Sequence, residues 1–257
     1  MSIPELIPLS FDTDNGFGAR ARLGLIVLES DQTIEAEARM LDLDGVDFFH
    51  SRIPNALEVT PETLTDMEAR LPIAAALLPP EFDFDAIGYG CTSAATLIGA
   101  AGVAAGIQAA HPGIASTNPI SAAVEAFRAL DAQRIAVVTP YTADVTGPIA
   151  QHFTDAGLDV AALGSFLESS DLVVARISEA SIAAGVRTVV GNADCDAVFV
   201  SCTSLRMMAA ASALEREVGI PVVSSNMALL WHLLRLAGVA DEVPGRGTLF
   251  SRQLASS

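Results

Sequence analysis

One stretch of nine residues occurs twice in the chain. Asp85-Ala86-Ile87-Gly88-Tyr89-Gly90-Cys91-Thr92-Ser93 aligns without a gap on Asp196-Ala197-Val198-Phe199-Val200-Ser201-Cys202-Thr203-Ser204, an offset of 111 residues. Two flanking features repeat in the same order. Arg22-Leu23-Gly24-Leu25-Ile26-Val27 echoes Arg134-Ile135-Ala136-Val137-Val138-Thr139, and Ser116-Thr117-Asn118 echoes Ser224-Ser225-Asn226. Similarity between Ala/Val-rich strands could produce one such pair by chance, but not easily three in the same order at nearly the same offset. The 257 residues therefore read as two homologous halves, each close to the smallest common domain size.

Each half alternates short apolar runs with helical segments. The strand candidates are Leu23–Leu28, Val46–His50, Ala86–Gly90, Ile135–Thr139, Val160–Leu163, Ala197–Ser201 and Val222–Ser224. Their apolar character is nearly continuous, as in parallel strands buried on both faces. Thr60 is placed to cap a helix over Pro61–Leu71 with Pro61 at its first position. Ser121–Leu130 sets Ala123, Val124 and Phe127 on one helical face. The expected fold is α/β: two similar parallel-sheet, flavodoxin-like halves related by a pseudo-two-fold axis, with the functional site in the cleft between them. The first half is expected over 19–118 plus 227–257 and the second over 119–226. Residues 1–18 look like a loosely structured lead-in.

Composition narrows the chemistry. All 14 basic residues are Arg, against 31 acidic residues, and the net charge is −17. With no lysine, a Schiff base and a phosphate-loop lysine are both excluded. So acidic a chain lacks the clustered cations that a nucleic acid or an anionic membrane requires. Ala94 to Ala110 is the longest uncharged, apolar-looking run and is too short and too rich in Ala and Gly to span a bilayer. Met1–Glu5 lacks the basic-then-apolar pattern of a signal peptide, so a cytoplasmic protein is expected.

The three cysteines make neither a disulfide framework nor a zinc motif. Cys91 and Cys202, however, occupy equivalent places in the repeat. Each follows a buried-strand pattern and precedes Thr-Ser, which places it at the carboxyl end of a strand, where open α/β sheets bind ligands. Thr-Ser is expected to open a helix in both halves, whose free N–H groups lower the thiol pKa and offer a seat for a carboxylate. Thr92, Ser93, Thr203 and Ser204 add hydroxyl donors. Two such ends facing each other would flank one substrate carbon from opposite sides. That arrangement suits proton removal and return, or thiolate addition and expulsion, and needs neither metal nor nucleotide. Free cysteines also occur simply as small buried hydrophobes. Cys195 pairs with Phe84 in the repeat and is expected to be structural, and a reversible Cys91–Cys202 disulfide would be unusual in the cytosol.

These motifs, together with Gly24–Glu37 and Thr139-Pro140-Tyr141, give the chain its resemblance to the aspartate/glutamate racemase superfamily. The branch resembled is that of maleate cis-trans isomerases and arylmalonate decarboxylases, over about Arg20 to Leu249. The resemblance implies a cofactor-free enzyme with Cys91 and Cys202 as its catalytic cysteines. Tyr141 and the Thr-Ser groups would hold a substrate carboxylate. Decarboxylases of the branch lack the first cysteine, so having both points to isomerisation or racemisation. Maleate isomerases carry asparagine at two places where this chain has Asp31 and Asp171. An ionised aspartate accepts but does not donate hydrogen bonds, and it repels a carboxylate. Asp31 and Asp171 are therefore expected to bind an amine or amidine on the substrate, although Asp31 could equally cap the helix starting near Gln32. Together with Val59–Leu64, the pattern is also similar to racemase-like proteins linked with ectoine utilisation.

His50, His111, His152 and His232 are scattered without an i, i+4 pair, so no metal site is expected. Gly99, Gly102 and Gly106 lie in an Ala-rich helix and do not follow a strand, which excludes a dinucleotide fingerprint. Asn118 and Asn226 are expected to stabilise turns or to line the cleft. The reaction version stays open between racemisation and cis-trans isomerisation. A non-catalytic protein binding a metabolite in the same cleft, and an arylmalonate-type decarboxylase, are the competing readings. A small carboxylate partner and a homo-oligomer are expected.

Overall fold

The computed structural model describes residues 3–56 and 58–255. Two four-stranded parallel sheets carry the chain. The first orders its strands β2 (Val46–Ile53), β1 (Ala21–Leu28), β3 (Ala86–Gly90) and β4 (Ala115–Thr117). The second repeats that order with β6 (Asp159–Ser165), β5 (Arg134–Thr139), β7 (Ala197–Val200) and β8 (Val222–Ser224). Every pairing is parallel. The inner strands β1, β3, β5 and β7 are buried along almost their whole length, as a sheet covered on both faces requires.

β4 was not among the expected strands: Ala115-Ser116-Thr117 is short and half polar, and only its pairing with Ala86–Gly88 identifies it. The helix expected over Pro61–Leu71 is broken. Thr60 does cap it, accepting the Thr63 N–H while the Thr63 hydroxyl accepts the Thr60 N–H. The helix α2 then ends at Thr65, a 3₁₀ turn follows over Glu68–Arg70, and α3 runs Leu71–Ala75. The ladder tightens at Met67, whose N–H bonds the Leu64 carbonyl three residues back, as the Arg70 N–H then bonds Met67, and the α-helix gives way to a 3₁₀ turn. Residues 3–15 have no regular structure and expose Ile3, Leu6, Ile7, Leu9 and Phe11.

Two helices lace the halves together. After β4, α5 (Pro119–Ala129) carries Phe127 across to the second sheet, where its ring meets Phe199 of β7 at 6.2 Å. After β8, α10 (Ser225–Leu236) returns to the first sheet. Gly88 in β3 permits that approach: a Cβ there would stand 2.9 Å from Leu233 and 3.0 Å from Leu229. α10 is buried on nearly all sides, with Trp231 and Leu229 fully inaccessible, and it packs directly against α5. The remaining helices are α1 (Ile34–Arg39), α4 (Thr92–Gln108), α6 (Ala143–Asp155), α7 (Asp171–Val174), α8 (Glu179–Val190) and α9 (Ala211–Val218). Among the described residues no helix is long and apolar enough to cross a membrane.

Candidate active site

Cys91 is the first residue after β3 and the N-cap of α4, in an extended conformation (φ −145°, ψ 115°). The Ser93 hydroxyl lies 3.7 Å from its sulfur, and the Ala94 N–H in the first helical turn also points to it. α4 is kinked at Gly99, whose φ of 81° and ψ of 156° interrupt the helical ladder. This half matches the expected strand–cysteine–helix design.

Cys202 departs from it. No helix begins at Thr203: α9 starts only at Ala211, and Cys202 itself takes a φ of 114°, where a side chain is strained. The intervening backbone is held by side chains instead. The buried Glu37 carboxylate of α1, in the other half, accepts the N–H groups of Met207 and Met208, each at 2.8 Å. It also accepts Asn226 Nδ2 at 2.8 Å, and Asn226 donates in turn to the Thr203 carbonyl at 2.9 Å. Thr33 Oγ1 donates to the Ser204 carbonyl. With those groups committed elsewhere, residues 203–208 do not close into a helix. The Ser225 hydroxyl oxygen joins the two cysteine regions, accepting the Cys202 N–H at 2.9 Å and the Thr92 hydroxyl at 2.8 Å.

Both thiols line one cavity, as do Thr92, Ser93, Tyr141, Asp171, Thr203 and Ser204. Asp31 does not. It is buried beside the cavity and its Oδ1 accepts the N–H groups of Thr33 and Ile34, the capping arrangement. Burial is the main reason its carboxyl is raised to about 6; the two N–H groups and the Thr203 hydroxyl oppose the rise, and the charge of Asp171 adds to it. Asp171 opens α7 and accepts hydrogen bonds from two hydroxyls, Ser30 of the first half and Ser204 at 3.3 Å.

The chain's two tyrosines stand one beside each cysteine, Tyr89 at Cys91 and Tyr141 at Cys202. Tyr89 was not recognised as a site residue, because its place inside a strand reads as core. The cavity's cover was also missed. Asn55, Ala56, Glu58 and Val59 form a strap from the first half, backed by Leu64 and Met67. The strap crosses to the second half, where the Val59 N–H donates to the Ser169 carbonyl and Glu58 pairs with Ser170. Under it, the space open to the centre of a water molecule is about 20 Å³, room for a water or two.

The thiols are not acidified as expected. Burial pushes Cys91 up to about 11, against the opposing Ala94 N–H and the Ser93 hydroxyl, while the charge of Asp171 pushes it further. Burial and then Asp171 take Cys202 to about 12. In so enclosed a cavity, desolvation of the thiolate outweighs the dipole at the start of α4. The histidines lie elsewhere: His232 hydrogen-bonds Thr117 and His111 meets the Ala75 carbonyl. Among the described residues no three His, Cys, Asp or Glu side chains group as metal ligands.

A protein-family model described as arylmalonate decarboxylase matches residues 24–250. Maleate isomerase of Nocardia farcinica is 29% identical over 249 residues, covering 91% of this chain and 97% of its own length. Arylmalonate decarboxylase of Bordetella bronchiseptica is 32% identical over 140 residues, 54% of this chain and 58% of its own. Among solved structures, a cysteine-to-serine variant of the Nocardia farcinica isomerase with a covalently bound succinylcysteine intermediate superposes with a TM-score of 0.81. It is 26% identical and covers 90% of this chain and 98% of its own. Maleate isomerase Iso of Pseudomonas putida S16, as a cysteine-to-alanine variant with maleate, gives 0.81 at 26% identity, over 90% and 97%.

Proposed function

Because the chain belongs to the arylmalonate decarboxylase family, we propose that it is a cofactor-independent isomerase or racemase of a small carboxylate, working through Cys91 and Cys202. The observation that carries this reading is that the two halves deliver their cysteines to one closed cavity. Ser93 and Tyr141 line it with hydroxyls that can donate to a carboxylate, while those of Thr92, Thr203 and Ser204 would have to turn from Ser225, Gly90 and Asp171 to join them. In the cis-trans version, the Cys91 thiolate forms a bond to an activated double bond and Cys202 gives its proton to the neighbouring carbon. The new single bond rotates, Cys202 takes a proton back, and the carbon–sulfur bond breaks. The succinylcysteine of the solved Nocardia relative is an adduct of this kind. In the racemase version, one thiolate removes a proton beside the carboxylate and the other thiol returns one to the opposite face. The free space beside the cysteines holds only a water or two, so either version requires that space to widen as substrate binds.

The test is proton NMR in deuterated buffer with maleate, aspartate, hydantoins, ectoine and hydroxyectoine. Wild type is compared with Cys91→Ser and Cys202→Ser. Deuterium entering beside a carboxylate, lost in both variants, supports the racemase. New olefinic signals support the cis-trans isomerase, whether or not deuterium from Cys202 is retained on the olefinic carbon. Loss of carbon dioxide from phenylmalonate, added to the same panel, in wild type and Cys91→Ser alike favours the decarboxylase. Saturable ligand shifts without turnover, unchanged in both variants, sink the enzyme reading and leave a metabolite-binding protein.

A further inference from the structure

Asp171 is a buried carboxylate facing the catalytic cavity with no cation to neutralise it. Its two hydrogen-bond donors, Ser30 and Ser204, are neutral hydroxyls. Asn55 fixes Ser30 in turn, donating from Nδ2 to the Ser30 hydroxyl at 2.9 Å. A carboxylate can accept about four hydrogen bonds, so capacity remains toward the cavity. Among the described residues lining that cavity there is no Arg and no His, and the only other charged side chain is a second acid, Glu58. Buried charges in proteins are ordinarily paired, and a single buried carboxylate left to hydroxyls is costly. A cation carried by the ligand would supply the missing charge.

We propose that the cavity takes a zwitterion: a small molecule whose carboxylate lies at the hydroxyls around the two cysteines and whose ammonium, amidinium or guanidinium group sits on Asp171. The inference rests on the isomerase reading for which carbon reacts, but not for what binds. A dicarboxylate would instead set a second carboxylate against Asp171 in a water-poor space, where like charges repel most strongly. Asp31 takes no part, because its carboxylate lies outside the cavity and serves the start of α1. The site has a consequence for the chemistry. The negative charge of Asp171 contributes to holding both thiols protonated. A cation seated on it cancels that contribution, so thiolate formation becomes easier once the substrate is in place.

Four ligands built on one propionate frame test this: propionate, succinate, β-alanine and guanidinopropionate, titrated by calorimetry into the full-length protein at constant ionic strength. The expected order places either cation about ten-fold tighter than propionate, and succinate weakest. Asp171→Asn should abolish the preference for the cations, while Glu58→Gln should retain it, which separates Asp171 from the general acidity of the surface. Succinate bound as tightly as the cations, no saturable binding of either cation, or an unchanged order in Asp171→Asn would each overturn the proposal. Should Asp171→Asn not fold, the wild-type order decides alone. Cys91→Ser keeps the charge of the cavity, so a zwitterion preference that persists there, while wild type gives neither deuterium exchange nor new olefinic signals with the substrate panel, defeats the isomerase reading and leaves this one standing.

Discussion

The two cysteine seats begin alike and end differently. Each follows an inner strand and precedes Thr-Ser, yet Cys91 starts a helix from an extended conformation while Cys202 holds a φ of 114° in a loop. At Cys91 the backbone after the thiol satisfies itself through the helical ladder. At Cys202 the same duty falls on Glu37 and Asn226, side chains from α1 and α10. A duplicated fold can thus keep the position of a functional atom while replacing everything that supports it. One seat is local and the other depends on contacts more than 160 residues apart in sequence.

The comparison breaks most visibly at Glu37. Glu37→Ala strips three N–H donors of their acceptor and should cost about 3 kcal/mol in denaturant unfolding. Mass-resolved alkylation should show Cys202 becoming more accessible while Cys91 stays as in wild type. Equal exposure of both would mean that the two seats are not separately supported.

Asp31, beside the Cys202 loop, gives the next largest effect. Burial raises its carboxyl to about 6, above the ordinary aspartate value of 3.8, so the fold binds its proton more tightly than the unfolded chain does. That contribution to stability is fully present below the unfolded pKa and is lost as pH rises through about 6. Asp31→Asn keeps the oxygen that accepts from Thr33 and Ile34 but does not titrate. Relative to this variant, wild type should lose about 2 kcal/mol between pH 4 and pH 7. Parallel curves for the two proteins would refute the assignment.

Thiol reactivity sharpens the contrast. With Cys91 at about 11 and Cys202 at about 12, iodoacetamide should modify both slowly at neutral pH in the ligand-free protein, Cys91 about ten-fold faster once access is equal. Rapid modification of Cys202 first would contradict it. The smallest effect is on the backbone. Cys202→Gly should be about 1 kcal/mol more stable than Cys202→Ala, because only glycine takes that φ freely, whereas at Cys91 the order reverses. Thermal unfolding of the four variants checks it.

Much of this was legible in the residues. The inner strands carry continuous apolar runs, and the repeat placed both cysteines at strand ends before any contact was known. Three things were not legible, for separate reasons. β4 is defined by pairing with β3 rather than by its own composition. The turn after Cys202 is imposed by Glu37, which looks in sequence like an ordinary acidic residue of an amphipathic helix. The elevation of the thiols depends on enclosure by the strap, and Asn55–Val59 carries no motif. Local pattern reports local preference; burial and long-range acceptors are properties of the finished fold.

The crossing of α5 and α10 bears on how the cleft can work at all. Phe127 anchors the chain of one half into the other's interior, and Trp231 and Leu229 lie buried in the helix that returns. Spreading the sheets apart like a clamshell would pull both helices out of their packing and expose large apolar side chains. The strap is tied across by the backbone hydrogen bond from Val59 to Ser169, while the two sheets are tied by buried helices. A body joined in this way should melt in one cooperative step, with the first opening at the strap, which calorimetry and hydrogen exchange check.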